Sequence, residues 1–199
     1  MKLFAILVLF LAAGFAHAVN VTGQVQTVPE YLDANNIDPL ANFTGVVSPS
    51  SRLSYFFKRT TENVNLVLHR NNSDYRLMLA SERIREMITE VIVYNNTGHL
   101  DGLADDYVGT LADIDEDVMN VISEDPEGGL VYNRQSRILL ADQNILLHAL
   151  YPHTPEAGQL AVRNAFDKTV ELYKIKRDRG EALYAQLYPV QADTFIGAA

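Results

Sequence analysis

The chain contains no cysteine and no tryptophan in its 199 residues. Without cysteine there is no disulfide, no thiol nucleophile and no thiolate metal site, so a buried core alone must hold the fold. Positive charge is scarce: 16 Lys and Arg stand against 25 Asp and Glu, a net of −9. Such a surface repels nucleic acid and anionic membranes, and neither is expected as a partner. Beyond the first 18 residues no apolar run approaches the roughly 20 residues that a membrane span requires. A nucleophile elbow, a phosphate-cradling glycine loop and a His-Glu-x-x-His pair are also missing. The glycine pair Gly128-Gly129 follows acidic residues, the wrong sign for a phosphate. These absences point away from an enzyme, and no cofactor is expected.

What is present begins with an export signal. Lys2 supplies a short positive start, Leu3 to Ala16 is an uncharged apolar run, and Ala16-His17-Ala18 is a small-x-small cleavage site. The competing reading is a retained membrane anchor, for which the run is short. Cleavage after Ala18 removes Lys2 alone among the charged residues, leaving 15 basic against 25 acidic groups, a net of −10. Residues 19–50 are rich in Asn, Thr, Gly and Pro without a sustained period, and read as a flexible linker. Val25 to Tyr31 could add a short extended piece there. Hydrophobic residues make up 48% of the chain, enough for one domain with a real core.

Ser48-Pro49-Ser50-Ser51 marks the first helix start, serine being a good N-cap. Leu53, Phe57, Thr60, Val64 and Val67 then recur at steps of four and three, widened by Phe56 and Leu68. That stripe is expected to face the core, with Lys58, Arg59, Glu62 and Asn63 on the wet side. After the turn Asn71-Asn72-Ser73-Asp74, a second helix carries Tyr75, Leu79, Ile84, Met87, Ile88, Val91 and Tyr94, closed by Gly98 in a left-handed position. Phe57, Ile84 and Met87 are the expected centre of this hairpin. These two helices, SPSSRLSYFFKRTTENV and ASERIREM, resemble the domain-of-unknown-function family 5667, found on exported archaeal and bacterial proteins. The positions that carry the likeness are Tyr55, Phe56, Lys58, Arg59 and Glu62, then Ala80, Arg83 and Glu86. The helix pattern extends it over residues 48–179, with a departure in Val91 to Tyr94, where the family is more charged. The resemblance implies a helical fold outside the cytoplasm and no particular activity.

A third helix, from about Asp101 to Ser123, is expected from Leu103, Tyr107, Leu111, Ile114, Val118 and Ile122. Ten acids and no Lys or Arg lie between Asp101 and Glu127. Pro126-Glu127-Gly128-Gly129 reads as a break, followed by a fourth helix through Val131, Ile138, Ala141, Ile145 and Ala149. A fifth starts near Pro155 and runs through Leu160, Ala161, Ala165, Val170, Leu172 and Tyr173. Its end near Arg179 would set Lys174, Lys176, Arg177 and Arg179 at the negative end of the dipole, with Gly180 interrupting before a short piece to Tyr188. The fold class is therefore all-α: an antiparallel bundle of about five helices over residues 51–188, behind a signal peptide (1–18) and linker (19–50), with a tail at 189–199.

Candidate sites are few. Sequons occur at Asn20, Asn42, Asn71 and Asn95, in the linker and in the turns around the second helix, where a glycan is tolerated. His148, His153 and Glu156 match no metal-ligand spacing and read as turn residues. His69 suits a helix C-terminus. Asp113, Asp115, Asp117 and Glu124 match the carboxylate positions of a calcium loop, but Val118 stands where its glycine must be, and Asn120 where it is apolar. In a helix Asp115 points away from Asp113 and Asp117, so no tight calcium site and no metal site are expected. Five tyrosines of the second half, Tyr132, Tyr151, Tyr173, Tyr184 and Tyr188, read as partly buried bundle residues rather than as an aromatic binding surface.

The resulting expectation is a secreted or cell-surface, non-enzymatic module. It binds a protein or glycan partner or itself, with cation binding by the acidic third helix as the alternative. Amino-terminal sequencing of native protein is expected to read VNVTGQ; an intact Met1 in the membrane fraction would contradict cleavage.

Overall fold

The computed structural model describes residues 17–19, 25–27, 38–41, 43–68 and 73–189. The apolar run Leu3 to Ala16, His69, the sequons at Asn20, Asn42 and Asn71, and the tail from residue 190 lie outside them. The chain divides into two units, Met1–Phe43 and Thr44–Ala199. In the first, β1 (His17–Val19) pairs antiparallel with β2 (Val25–Thr27), His17 opposite Thr27 and Val19 opposite Val25. β2 falls within the stretch whose sequence allowed an extended piece.

The second unit is all-α. Its helices are α1 (Leu53–Leu68), α2 (Ser73–Ile88), α3 (Leu100–Glu124), α4 (Pro126–Leu150) and α5 (Glu156–Leu187). Short 3-10 turns at Pro49–Ser51 and Tyr151–His153 precede α1 and α5, and α2 runs on through a π turn, Thr89–Val93. Cross-helix contacts fix the directions. Ile122 lies against Gly129 and Tyr107 meets Gln143, so α3 and α4 run antiparallel. Asn133 bonds the Lys176 carbonyl of α5, and Arg76 of α2 reaches Asp117 of α3. Among the described residues no helix is long and apolar enough to cross a membrane.

The α3 stripe is the best match between pattern and packing. Leu103, Tyr107, Leu111, Ile114 and Val118 are all buried, and Ile122 is half-buried. From α2 the core receives Leu79, Ile84, Met87, Ile88 and Val91. Each such side chain, once buried, contributes about 1.5–3 kcal/mol.

Four details differ from the sequence expectation. In α4 the buried line is Tyr132, Asn133, Ser136, Leu140, Gln143, Leu147 and Leu150, while Val131 is exposed and Ile138, Ala141, Ile145 and Ala149 are half-buried. Apolar residues occur on several sides of α4, so their spacing does not single out one face. The helix turns inward a side with partly bonded polar groups: Asn133 Nδ2 donates to the Lys176 carbonyl at 2.7 Å, and Gln143 Oε1 lies 2.7 Å from the Tyr107 hydroxyl, while Asn133 Oδ1 and Gln143 Nε2 have no partner among the described residues. Secondly, α5 does not stop near Arg179. It continues through Gly180, where a Cβ would lie 2.9 Å from Asn133 Nδ2, so this glycine permits close approach of α4 rather than a break. Lys174 to Arg179 therefore sit mid-helix, away from the dipole's end. Gly128 and Gly129 likewise fall inside α4, whose N-cap is Asp125, accepting from the Gly128 N–H at 3.1 Å. Thirdly, the left-handed residue after α2 is Asn95 (φ 47°), not Gly98. Asn tolerates this conformation better than other side chains.

The fourth difference is the orientation of α1. Leu53, Phe56, Phe57, Val64, Val67 and Leu68 are exposed, Phe57 at 61%. The face opposite, with Tyr55, Lys58, Arg59 and Glu62, turns toward the bundle. Lys58 and Glu62 are thus not on the wet side, and Phe57 is not part of the hairpin core. In dilute solution, where the protomer stands alone, Phe57→Ala is expected to unfold within about 0.5 kcal/mol of wild type, as surface changes do, whereas Met87→Ala is expected to cost about 2–5 kcal/mol. Chemical denaturation of both variants measures the contrast, and equal losses would put Phe57 back in the core.

Candidate functional site

Beneath α1 lies a seam of charge. Tyr55, Lys58, Arg59 and Glu62 recur at steps of three and four and so form one face. Arg83 of α2, 4% exposed, forks between two carboxylates. Its Nη1 donates to Glu86 Oε1 and Oε2 at 2.6 and 2.7 Å, and its Nη2 donates to Glu62 Oε2. Lys58 Nζ closes the cluster at 2.6 Å from Glu86 Oε1 and 3.0 Å from Glu82 Oε2. Arg59 extends it to α3 through Asp106 at 2.5 Å. Two glutamates as deeply buried as Glu62 and Glu86 require this cationic company, because an unpaired buried carboxylate is costly. Arg83 is held more firmly charged than a free guanidinium: burial works against it, and Glu86 and Glu62 outweigh burial. Burial, with Glu86 adding to it, pushes the Tyr55 phenol up to about 12.

A third buried carboxylate locks the entry to α1. Glu90, in the π turn, accepts from the Ser48 hydroxyl (2.5 Å), the Ser50 amide (2.8 Å), the Ser50 hydroxyl (2.7 Å) and Asn96 Nδ2 (3.0 Å). The Ser48 hydroxyl is spent on Glu90 instead of capping the turn that follows it; Ser51 Oγ takes the Ser48 N–H instead, at 3.1 Å. Nothing in the residue pattern marks Glu90 as buried, since the serines that bond it are 40 or more positions away.

The acidic helix α3 turns further carboxylates to α5 and α2. Asp115 receives Lys176 Nζ at 2.9 Å and Arg179 Nη1 at 2.7 Å, both from α5. Asp117 receives Arg76 Nη1 at 2.8 Å, from α2, and the same guanidinium lies 3.3 Å from the Asp113 carbonyl. Burial raises the Asp115 carboxyl, but the bonds from Arg179 and Lys176 outweigh it and hold it at about 2. Its contribution to stability is therefore full above the ordinary carboxylate range and lost as pH falls through about 2. The acidic α3 meets the basic run of α5 through Lys176 and Arg179. The calcium-loop positions Asp113, Asp115, Asp117 and Glu124 do not converge; among the described residues no group of three or more His, Asp or Glu could hold an ion.

The remaining sequence candidates are dispersed. His148 lies on α4 with its ring 6.3 Å from Phe166, and His153 is exposed in the turn before α5, which begins at Glu156. Asn95, the sequon within the described residues, is exposed. Tyr132 is buried, Tyr151 is exposed, and Tyr184 and Tyr188 stack at 5.1 Å.

Above the seam is the exposed stripe of α1. Val64, Val67 and Leu68, with Thr60 and Asn63, line an open groove of about 400 Å³. The residues behind the family resemblance thus separate: Tyr55, Lys58, Arg59, Glu62, Arg83 and Glu86 meet in the seam, Ala80 enters the core, and Phe56 stands outside. No protein-family model matches the chain, and no match was found among curated proteins or solved structures.

Arg83→Ala is expected to cost about 3–5 kcal/mol, because it strands Glu62 and Glu86. Urea unfolding measures this, and a loss under about 1 kcal/mol would show that Lys58 alone neutralises the cluster.

Proposed function

We propose that this chain is an exported, non-enzymatic helical module of the cell envelope or exterior that acts by binding, with the outer face of α1 as its working surface. The observation that carries this reading is the inversion of α1. A helix with an apolar and a charged face ordinarily buries the apolar one. Here the charged face is anchored to the bundle and the apolar face is presented outward. Contiguous apolar exposure on this scale marks interaction sites in soluble proteins. The ionisable clusters support a non-enzymatic role: Glu62, Arg83, Glu86, Glu90 and Asp115 are each spent on bonds that tie helices together. Export rests on the signal-peptide pattern and on the resemblance to the exported family 5667. Asn95, exposed in a left-handed turn, is the sequon most open to a glycan.

Hydroxyl-radical footprinting tests the working surface. In native extracytoplasmic material Leu53, Phe56 and Phe57 are expected to be labelled severalfold less than in the same protein unfolded, and less than exposed Leu160 of α5. Labelling equal to Leu160 would mean that the face meets nothing.

A further inference from the structure

We infer that the outer face of α1 is a self-association surface, on which a second copy of this chain packs its own α1 about a twofold axis near Thr60. This deepens the reading of α1 as the working surface and rests on it.

Three observations lead there. The first is spacing. Leu53, Phe57, Thr60, Val64 and Val67 follow steps of four, three, four and three, the seam of a helix that packs lengthwise against another helix. Phe56 and Leu68 flank this seam. Among the described residues, α2 to α5 pack against one another and none of them fills the seam. A second α1 supplies an identical seam, as an isologous contact requires. Arranged antiparallel about Thr60, Phe57 faces Val64 of the other copy and Leu53 faces Val67, setting large side chains against small ones.

The second is area. The six apolar side chains are 54–77% exposed. The two phenylalanines offer about 150–250 Å² each as whole side chains and the four aliphatic ones less, so together they present on the order of 500–600 Å². That is at the top of the roughly 300–600 Å² of the largest patch on an ordinary monomer. It approaches the lower end of the ~600–1,000 Å² that each partner contributes to a standard interface.

The third is polarity. The hydroxyls that border the seam are already used inside α1: Thr60 Oγ1 donates to the Phe56 carbonyl at 2.9 Å and Thr61 Oγ1 to the Phe57 carbonyl at 3.0 Å. The seam can close without stranding a donor. Lys58, Arg59 and Glu62, the charges of α1, lie on its other face in bonds to α2 and α3. Two copies each of net charge −9 can therefore meet on a surface that carries no charge of its own. A lipid surface fits less well, because the cations that would hold α1 to headgroups face the bundle.

The full chain at micromolar concentration is expected to have the mass of a dimer by light scattering. Val67→Asp is expected to raise the dissociation constant by about 100-fold or more, since an unpaired carboxylate enters the seam twice. Its circular dichroism should be unchanged, Val67 being 77% exposed in the protomer. Because the chain lacks cysteine, Thr60→Cys gives a single thiol. It should oxidise to a covalent dimer, while Arg163→Cys on exposed α5 should not. A monomer that fails to cross-link through Thr60→Cys overturns the inference, and so does a dimer indifferent to Val67→Asp. A monomer that floats with phosphatidylcholine vesicles overturns it in favour of lipid. In each case protection of Phe56 and Phe57 in native material would leave the broader reading of α1 standing.

Discussion

The guanidinium of Arg83 is the constraint on which the first half of the bundle depends. One fixed fork must satisfy Glu86 on its own helix and Glu62 on the next, so the angular position of α1 is set by where Glu62 can reach. Ion pairs of this kind add little net stability over a well-packed apolar contact, but they penalise misalignment heavily. Apolar contacts would let α1 slide or rotate at small cost. A buried carboxylate tied to one guanidinium does not.

That choice explains why the fold was readable and the orientation of one helix was not. The third helix carries a single apolar stripe among acids, and Leu103 through Val118 go inward as their spacing dictates. The first helix carries two periodic faces, one apolar and one charged, and periodicity alone ranks the apolar face as buried. Its charged face is buried because of Glu82, Arg83 and Glu86, some two dozen residues further on, and of Asp106 beyond them. Tyr55, Lys58, Arg59, Glu62, Arg83 and Glu86 stand out in the sequence as separate positions, not as a cluster. Glu90 gave no signal, since its four donors come from segments that meet only in the folded chain.

The same lesson applies to the polar residues inside the other helices. Asn133, Gln143 and Thr169 are buried although their types favour water; each makes a bond to a neighbouring helix or to the turn before it, while Asn133 Oδ1 and Gln143 Nε2 are left unbonded among the described residues. Lys176, 1% exposed, buries its stem and brings its ammonium to Asp115. Gly180 lets α5 come close enough for Asn133 to reach the Lys176 carbonyl. Such contacts specify which face of α4 turns inward, a question that its scattered apolar residues leave open.

The π turn at Thr89–Val93 makes one stretch of the chain sensitive to length. Its bond from the Tyr94 amide to the Thr89 carbonyl spans one residue more than an α-helix allows. Ile92 and Val93 are exposed there, so many side chains fit. Losing a single residue would restore the ordinary helix and rotate everything after it by about 100° relative to α2. Asn96 would swing away from Glu90 and Ser50, and α3 would leave from another side of the bundle. Drift at Ile92 and Val93 can therefore change letters with little effect, but an insertion or deletion in the turn alters the architecture.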